Sequence, residues 1–130
     1  MAYYFTREEA ETLLPEIAVV LRKLQEIRKE IRTIEVELEE LHMRSMGNGH
    51  HLYVRIMKLQ KELLAYVQAF REAVDEVHAF GCELKDPDTG LIDFLSLRNG
   101  REVYLCWRLG EEQIAFWHDL HTGFAGRQPL

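Results

Sequence analysis

The sequence predicts a mainly α (α+β) protein: a long antiparallel helical hairpin that carries a C-terminal β-hairpin plus short helix module. Three observations predict it. An apolar seam with a period of 3.5 runs unbroken through residues 10–41. A second seam follows at 52–80, after a glycine-containing break. Beyond Gly81 the patterning shifts toward period two around an Asn-Gly dipeptide. We assign 1–130 as a single domain, with the helical hairpin at 6–81 and the β-hairpin/helix module at 82–130.

The first helix is expected to begin at Arg7. Thr6 and Glu9 form an S/T-x-x-E capping box, with Phe5 before the cap and Ala10 at the staple position. Its seam is Ala10, Leu13, Ile17, Val20, Leu24, Ile27, Ile31, Ile34, Leu38 and Leu41. Pro15 removes one hydrogen bond and is expected to kink the helix without ending it. At 1.5 Å per residue the helix is about 55 Å long. Ser45-Met46-Gly47-Asn48-Gly49 reads as a turn. The second seam is Leu52, Ile56, Leu59, Leu63, Tyr66, Phe70, Ala73, Val77 and Phe80, ending at Gly81, a residue suited to a left-handed cap.

A short connection makes the two helices antiparallel neighbours. Rows beside the seams, Leu14, Ala18 and Leu21 on one helix and Leu64, Val67 and Val74 on the other, mark the open end as the place where the C-terminal module packs. At the far end Ile31, Ile34, Leu38 and Leu41 face Leu52, Ile56 and Leu59 with nothing further in the chain to cover them. We expect a second copy of the hairpin there, giving a homodimer. Basic residues at 22–32 followed by acidic residues at 35–40 suit an antiparallel neighbour.

In the module, Leu91 to Leu97 and Glu102 to Leu109 read as strands joined by Asn99-Gly100 in a type I′ turn. That turn fixes the register. Phe94 then faces Leu105, Ile92 faces Trp107 and Ser96 faces Val103 on the core side. On the other side Asp93 faces Cys106, Leu95 faces Tyr104 and Leu91 faces Arg108. A short helix is expected from Glu111 to about His121, which would put Glu111 and His118 on one face with His121 a turn beyond.

The strings Tyr4-Phe5-Thr6 with Leu13-Leu14-Pro15, Leu84-Lys85-Asp86 with Gly90-Leu91-Ile92-Asp93-Phe94, Val103-Tyr104-Leu105-Cys106-Trp107-Arg108 with Gly110-Glu111, Trp117-His118, and Gly123-Phe124-Ala125-Gly126-Arg127-Gln128-Pro129-Leu130 carry a resemblance. Together they resemble the prokaryotic family known as domain of unknown function 2203. The resemblance covers essentially the whole chain, departing at Leu95, where a proline is expected. It implies a small bacterial or archaeal protein and no particular activity.

Composition narrows the function classes. The 130 residues carry a net charge of −6, with a pI near 5.5. An acidic chain lacks the clustered basic face that nucleic acid requires. No stretch reaches membrane-spanning length and no leader pattern opens the chain. Two cysteines, Cys82 and Cys106, are too few for a disulfide framework. The expectation is a cytoplasmic protein with reduced thiols.

Two function classes follow. One is a metal-binding protein using Cys106, His118, Asp93 and Glu111, with His121 in reserve; thiolate, imidazole and carboxylate together suit zinc or iron. Tyr104, Arg108 and Arg127 are further site candidates. The other is a non-enzymatic structural or interaction module without metal. In that reading Cys106 is a small buried residue, Asp93 pairs with Arg108 or Arg127, His118 bonds a backbone carbonyl, and Trp107 and Trp117 are core. Two lesser clusters are a His50/His51/Met43/Met46 group suited to copper or nickel and a Cys106–His118 nucleophile. Phosphate-loop, dinucleotide and serine-hydrolase motifs are lacking.

Overall fold

A computed structural model describes residues 2–44 and 50–130; the expected turn at 45–49, with Met46 and the His50 side chain, lies outside what is described. Helix α1 spans Arg7–Arg44 and helix α2 spans His50–Ala79. The cap at α1 forms as its sequence dictates. Glu9 N–H donates to Thr6 Oγ1 (3.1 Å), and Thr6 N–H donates to Glu9 Oε1 (2.8 Å). Pro15 sits inside the helix, which continues past it.

Five strands follow: β1 (Glu83–Asp86), β2 (Leu91–Arg98), β3 (Arg101–Arg108), β4 (Phe116–Asp119) and β5 (Gln128–Pro129). They pair antiparallel in sequence order. Asn99 and Gly100 have φ of 53° and 78°, as a type I′ turn requires, and every β2–β3 pair falls in the expected register.

The expectation of a helix from Glu111 to His121 is corrected: residues 116–119 are strand β4, hydrogen-bonded to β3. The helical reading rested on the spacing of Glu111, His118 and His121. It overlooked that β3 would otherwise leave a whole row of backbone groups unpaired. Phe116-Trp117-His118 has the aromatic character that suits a half-buried strand. The one helical piece described in the module is a 3-10 turn at Phe124–Gly126.

Leu14, Ile17, Ala18, Leu21 and Leu24 of α1 and Ala73 and Val77 of α2 share one core with Ile92, Phe94, Val103, Leu105, Trp107 and Trp117 of the sheet. The module therefore packs at the open end, on the row expected from α1. Val67 and Val74 are half-buried, whereas Leu64 points to solvent at 72% exposure. The chain start is tied to the same layer: Phe5 N–H donates to Leu95 O (2.8 Å), and Ser96 Oγ donates to Phe5 O (2.6 Å). At the far end Ile34, Leu38, Leu41, Ile56 and Leu59 form a second core. The two helices bury these residues against each other within one chain, so covering them requires no second copy. What stays exposed there is the outward row Tyr53, Val54 and Met57 on α2, with Val36 and Met43 on α1. No described helix is long and apolar enough to cross a membrane.

Candidate metal centre

The sheet has two faces. One meets the helices. On the other, strand pairing sets Asp93 of β2 opposite Cys106 of β3 and sets Tyr104 of β3 opposite His118 of β4. Residues on one face of neighbouring strands are close, directly and diagonally. One donor atom from each of Asp93, Cys106 and His118 accordingly falls within 4.8 Å of the others. All three side chains are buried, although they lie on the face turned away from the helices. Leu120, His121, Gly123 and Phe124 from the C-terminal segment come over them, together with Lys85 and Leu91. They leave a cavity of about 250 Å³ that opens on Asp93, Tyr104 and His118.

The hydrogen bonding inside the cluster is specific. His118 Nδ1 lies 2.7 Å from the carbonyl oxygen of Asp119, which can only accept, so Nδ1 carries the proton. Nε2 then faces Asp93 Oδ2 at 3.1 Å. With a neutral ring, two acceptors confront each other there; a proton or a cation between them resolves the conflict. The other carboxylate oxygen, Asp93 Oδ1, is buried without a donor. Cys106 completes the group. Burial first, and then the negative charge of Asp93, push its thiol from an ordinary 9.0 up to about 12; the Arg127 guanidinium acts in the opposite direction.

Arg127 and Glu111 form a separate unit beside the cluster. Arg127 donates to both Glu111 oxygens (3.0 and 2.7 Å) and to Cys106 O (3.3 Å). Its guanidinium lies between the Phe116 and Phe124 rings, 4.2 and 4.7 Å from their centroids. Glu111 also accepts from Arg108 N–H at 2.7 Å. Desolvation opposes ionisation of Glu111, but Arg127 and the backbone of Arg108 outweigh it and hold the carboxyl below its ordinary range.

A family model described as an uncharacterized conserved protein (DUF2203) matches residues 3–130. The chain belongs to the DUF2203 family. No curated protein and no solved structure matches it.

In this DUF2203 chain the structure thus gathers Asp93, Cys106 and His118 and leaves Glu111 to Arg127. His121 lines the cavity and Tyr104 forms part of its wall. Arg108 stacks over Phe124 (5.4 Å) rather than pairing with Asp93. Trp107 and Trp117 are core residues. Sequence reasoning passed over Lys85 and Phe124. Phe124 sits among glycines in a segment that reads as an irregular tail. Lys85 enters only because β1 joins the sheet.

The chemistry open to the cluster follows from its donors. The nucleophile reading requires an imidazole free to take the thiol proton, and both ring nitrogens of His118 already face oxygens. A raised thiol pKa also opposes a standing thiolate. A soft sulfur, an imidazole nitrogen and a carboxylate oxygen that converge in a buried site suit a divalent transition metal.

Proposed function

We propose that this protein binds one divalent transition metal ion, zinc or iron(II), through Asp93, Cys106 and His118. The observation that carries the reading is the meeting of His118 Nε2 and Asp93 Oδ2 in a buried site whose remaining carboxylate oxygen has no donor. The Nδ1–H···O=C bond to Asp119 supports it further, because metal-ligating histidines commonly fix their tautomer by donating the other ring N–H to a carbonyl. Bonds of about 2.0–2.3 Å draw tetrahedral donors to separations near 3.5 Å. Side-chain rotations that close the widest gap by about 1 Å therefore suffice.

Binding converts Cys106 to its thiolate, and the metal supplies the charge that replaces the proton. Three protein donors leave a fourth position on a tetrahedral ion, the arrangement that permits Lewis-acid chemistry. Elemental analysis of protein purified without a histidine tag tests the proposal. About one zinc or iron per chain is expected, lost in Cys106→Ala and in His118→Ala. Untagged protein without stoichiometric metal, with unfolding unchanged by chelator, would refute it.

As a second reading we propose a homodimer through the outer face of the hairpin. The exposed row Tyr53, Val54 and Met57 favours it. Sedimentation of Met57→Glu against the parent chain tests it; a parent chain that is monomeric at micromolar concentration removes the dimer.

A further inference from the structure

Resting on the metal reading above, we infer that the cavity over the cluster binds a small monocarboxylate with an apolar body, one oxygen on the metal and the other on Lys85. Asp93 and His118 lie at the cavity wall, while Cys106 is fully buried and not part of that wall. A tetrahedral ion held by all three therefore turns its open position toward the cavity. The space is about 250 Å³. That is below the usual size of a drug-like pocket and suits a short or single-ring ligand.

The walls choose the chemistry. Leu91, Leu120 and Phe124 offer apolar surface, and Lys85 brings the cationic donor. The Lys85 ammonium sits 2.8 Å from Glu83 and 5.5 Å over the Tyr104 ring. It has three donors, so it can keep Glu83 and still meet one further oxygen. A divalent ion with one thiolate, one carboxylate and a neutral imidazole is neutral overall. Its partner Glu83 is solvent-exposed and screens it only partly, so Lys85 brings a single positive charge to the cavity wall, enough for a monoanion but not for a dianion. A carboxylate monoanion fits this balance better than phosphate.

Cobalt(II)-loaded protein gives the test, because the visible spectrum of the ion reports changes in its own coordination. Metal uptake is read first by elemental analysis. Loaded protein is then titrated with benzoate, butyrate, benzamide and inorganic phosphate. Saturable spectral change with benzoate and butyrate, none with benzamide, and weaker change with phosphate is the expected result. Lys85→Met should weaken benzoate about tenfold, the scale of one hydrogen bond to a charged group, with cobalt uptake unchanged. Uptake of cobalt with a spectrum indifferent to carboxylates overturns this inference and leaves the metal reading standing. The inference also fails if benzamide equals benzoate, if phosphate binds more tightly, or if Lys85→Met binds like the parent. Failure to take up cobalt removes the metal reading, and this inference with it.

Discussion

Removing the Arg127 guanidinium should loosen the C-terminal segment that covers the cluster, and the size of the effect can be worked from its contacts. Arg127→Met keeps the apolar stem and deletes two charge-assisted hydrogen bonds to Glu111 and one to the Cys106 carbonyl. Hydrogen bonds to charged groups contribute about 1.5–3 kcal/mol each when shielded. The Glu111 side chain is 22% exposed, so water recovers part of that. Stacking on Phe116 and Phe124 adds roughly 0.5–1 kcal/mol per ring, some of which the thioether retains. The net expectation is a loss of about 2–4 kcal/mol. Urea unfolding followed by tryptophan fluorescence reads it directly, since Trp107 and Trp117 both lie in the sheet and Trp107 Nε1–H donates to the backbone of Glu111. A double-mutant cycle with Glu111→Gln should return a coupling of about 1.5 kcal/mol. A loss under about 0.5 kcal/mol, or additive single effects, would refute the claim that this pair clamps the segment.

Three further outcomes follow from the same contacts. The folded state holds the Cys106 proton up to about 12, whereas the unfolded chain releases it near 9.0. That contribution is intact below pH 9 and lost as pH rises toward 12, at about 1.4 kcal/mol per unit. Cys106→Ala should lose stability less steeply by that amount across the window in denaturant titrations; parallel curves would mean the thiol is not shielded. Metal uptake must displace the same proton, so apparent affinity should rise about tenfold per pH unit near neutrality, with roughly one proton released per ion in a weakly buffered titration; uptake indifferent to pH would remove Cys106 from the ligand set. Gly81 has φ of +97°, and an added Cβ would lie 2.8 Å from Phe5 Cζ. Gly81→Ala should therefore cost about 2 kcal/mol or more in thermal melts, against about 1 kcal/mol for Gly100→Ala, which meets open space; equal costs would show that Phe5 yields freely.

Much of the architecture was legible because local rules sufficed for it. Thr6 and Glu9 set the start of α1, and Asn99-Gly100 set a register that carries Asp93 to Cys106 across thirteen positions. His118 was found as a residue but misplaced as a helical one. Its neighbours come from pairing with Tyr104, a partner that no periodicity within residues 111–121 can reveal. The pairing of Glu111 is hidden for a related reason: its charge is claimed by Arg127, sixteen positions later, through a segment with no repeating pattern. Burial of the cluster was also hidden. The ribbon alone would leave that face wet, and the cover comes from residues 120–124, which read as irregular tail.

The order of the sheet bears on how the molecule is assembled. Each strand pairs with its neighbour in sequence, so the module can zip from the Asn99-Gly100 hairpin by closing only short loops, and α1 and α2 likewise meet through a short connection. The tie between Phe5 and Leu95 differs, since it closes about ninety residues and brings the first buried side chain among the described residues onto the sheet. Seating Phe5 on the sheet therefore closes the longest of these loops, and Phe5→Ala should slow refolding in proportion to how early that contact forms. A refolding rate unchanged by this substitution would place the contact after the barrier, with the sheet and the hairpin already complete as independent pieces.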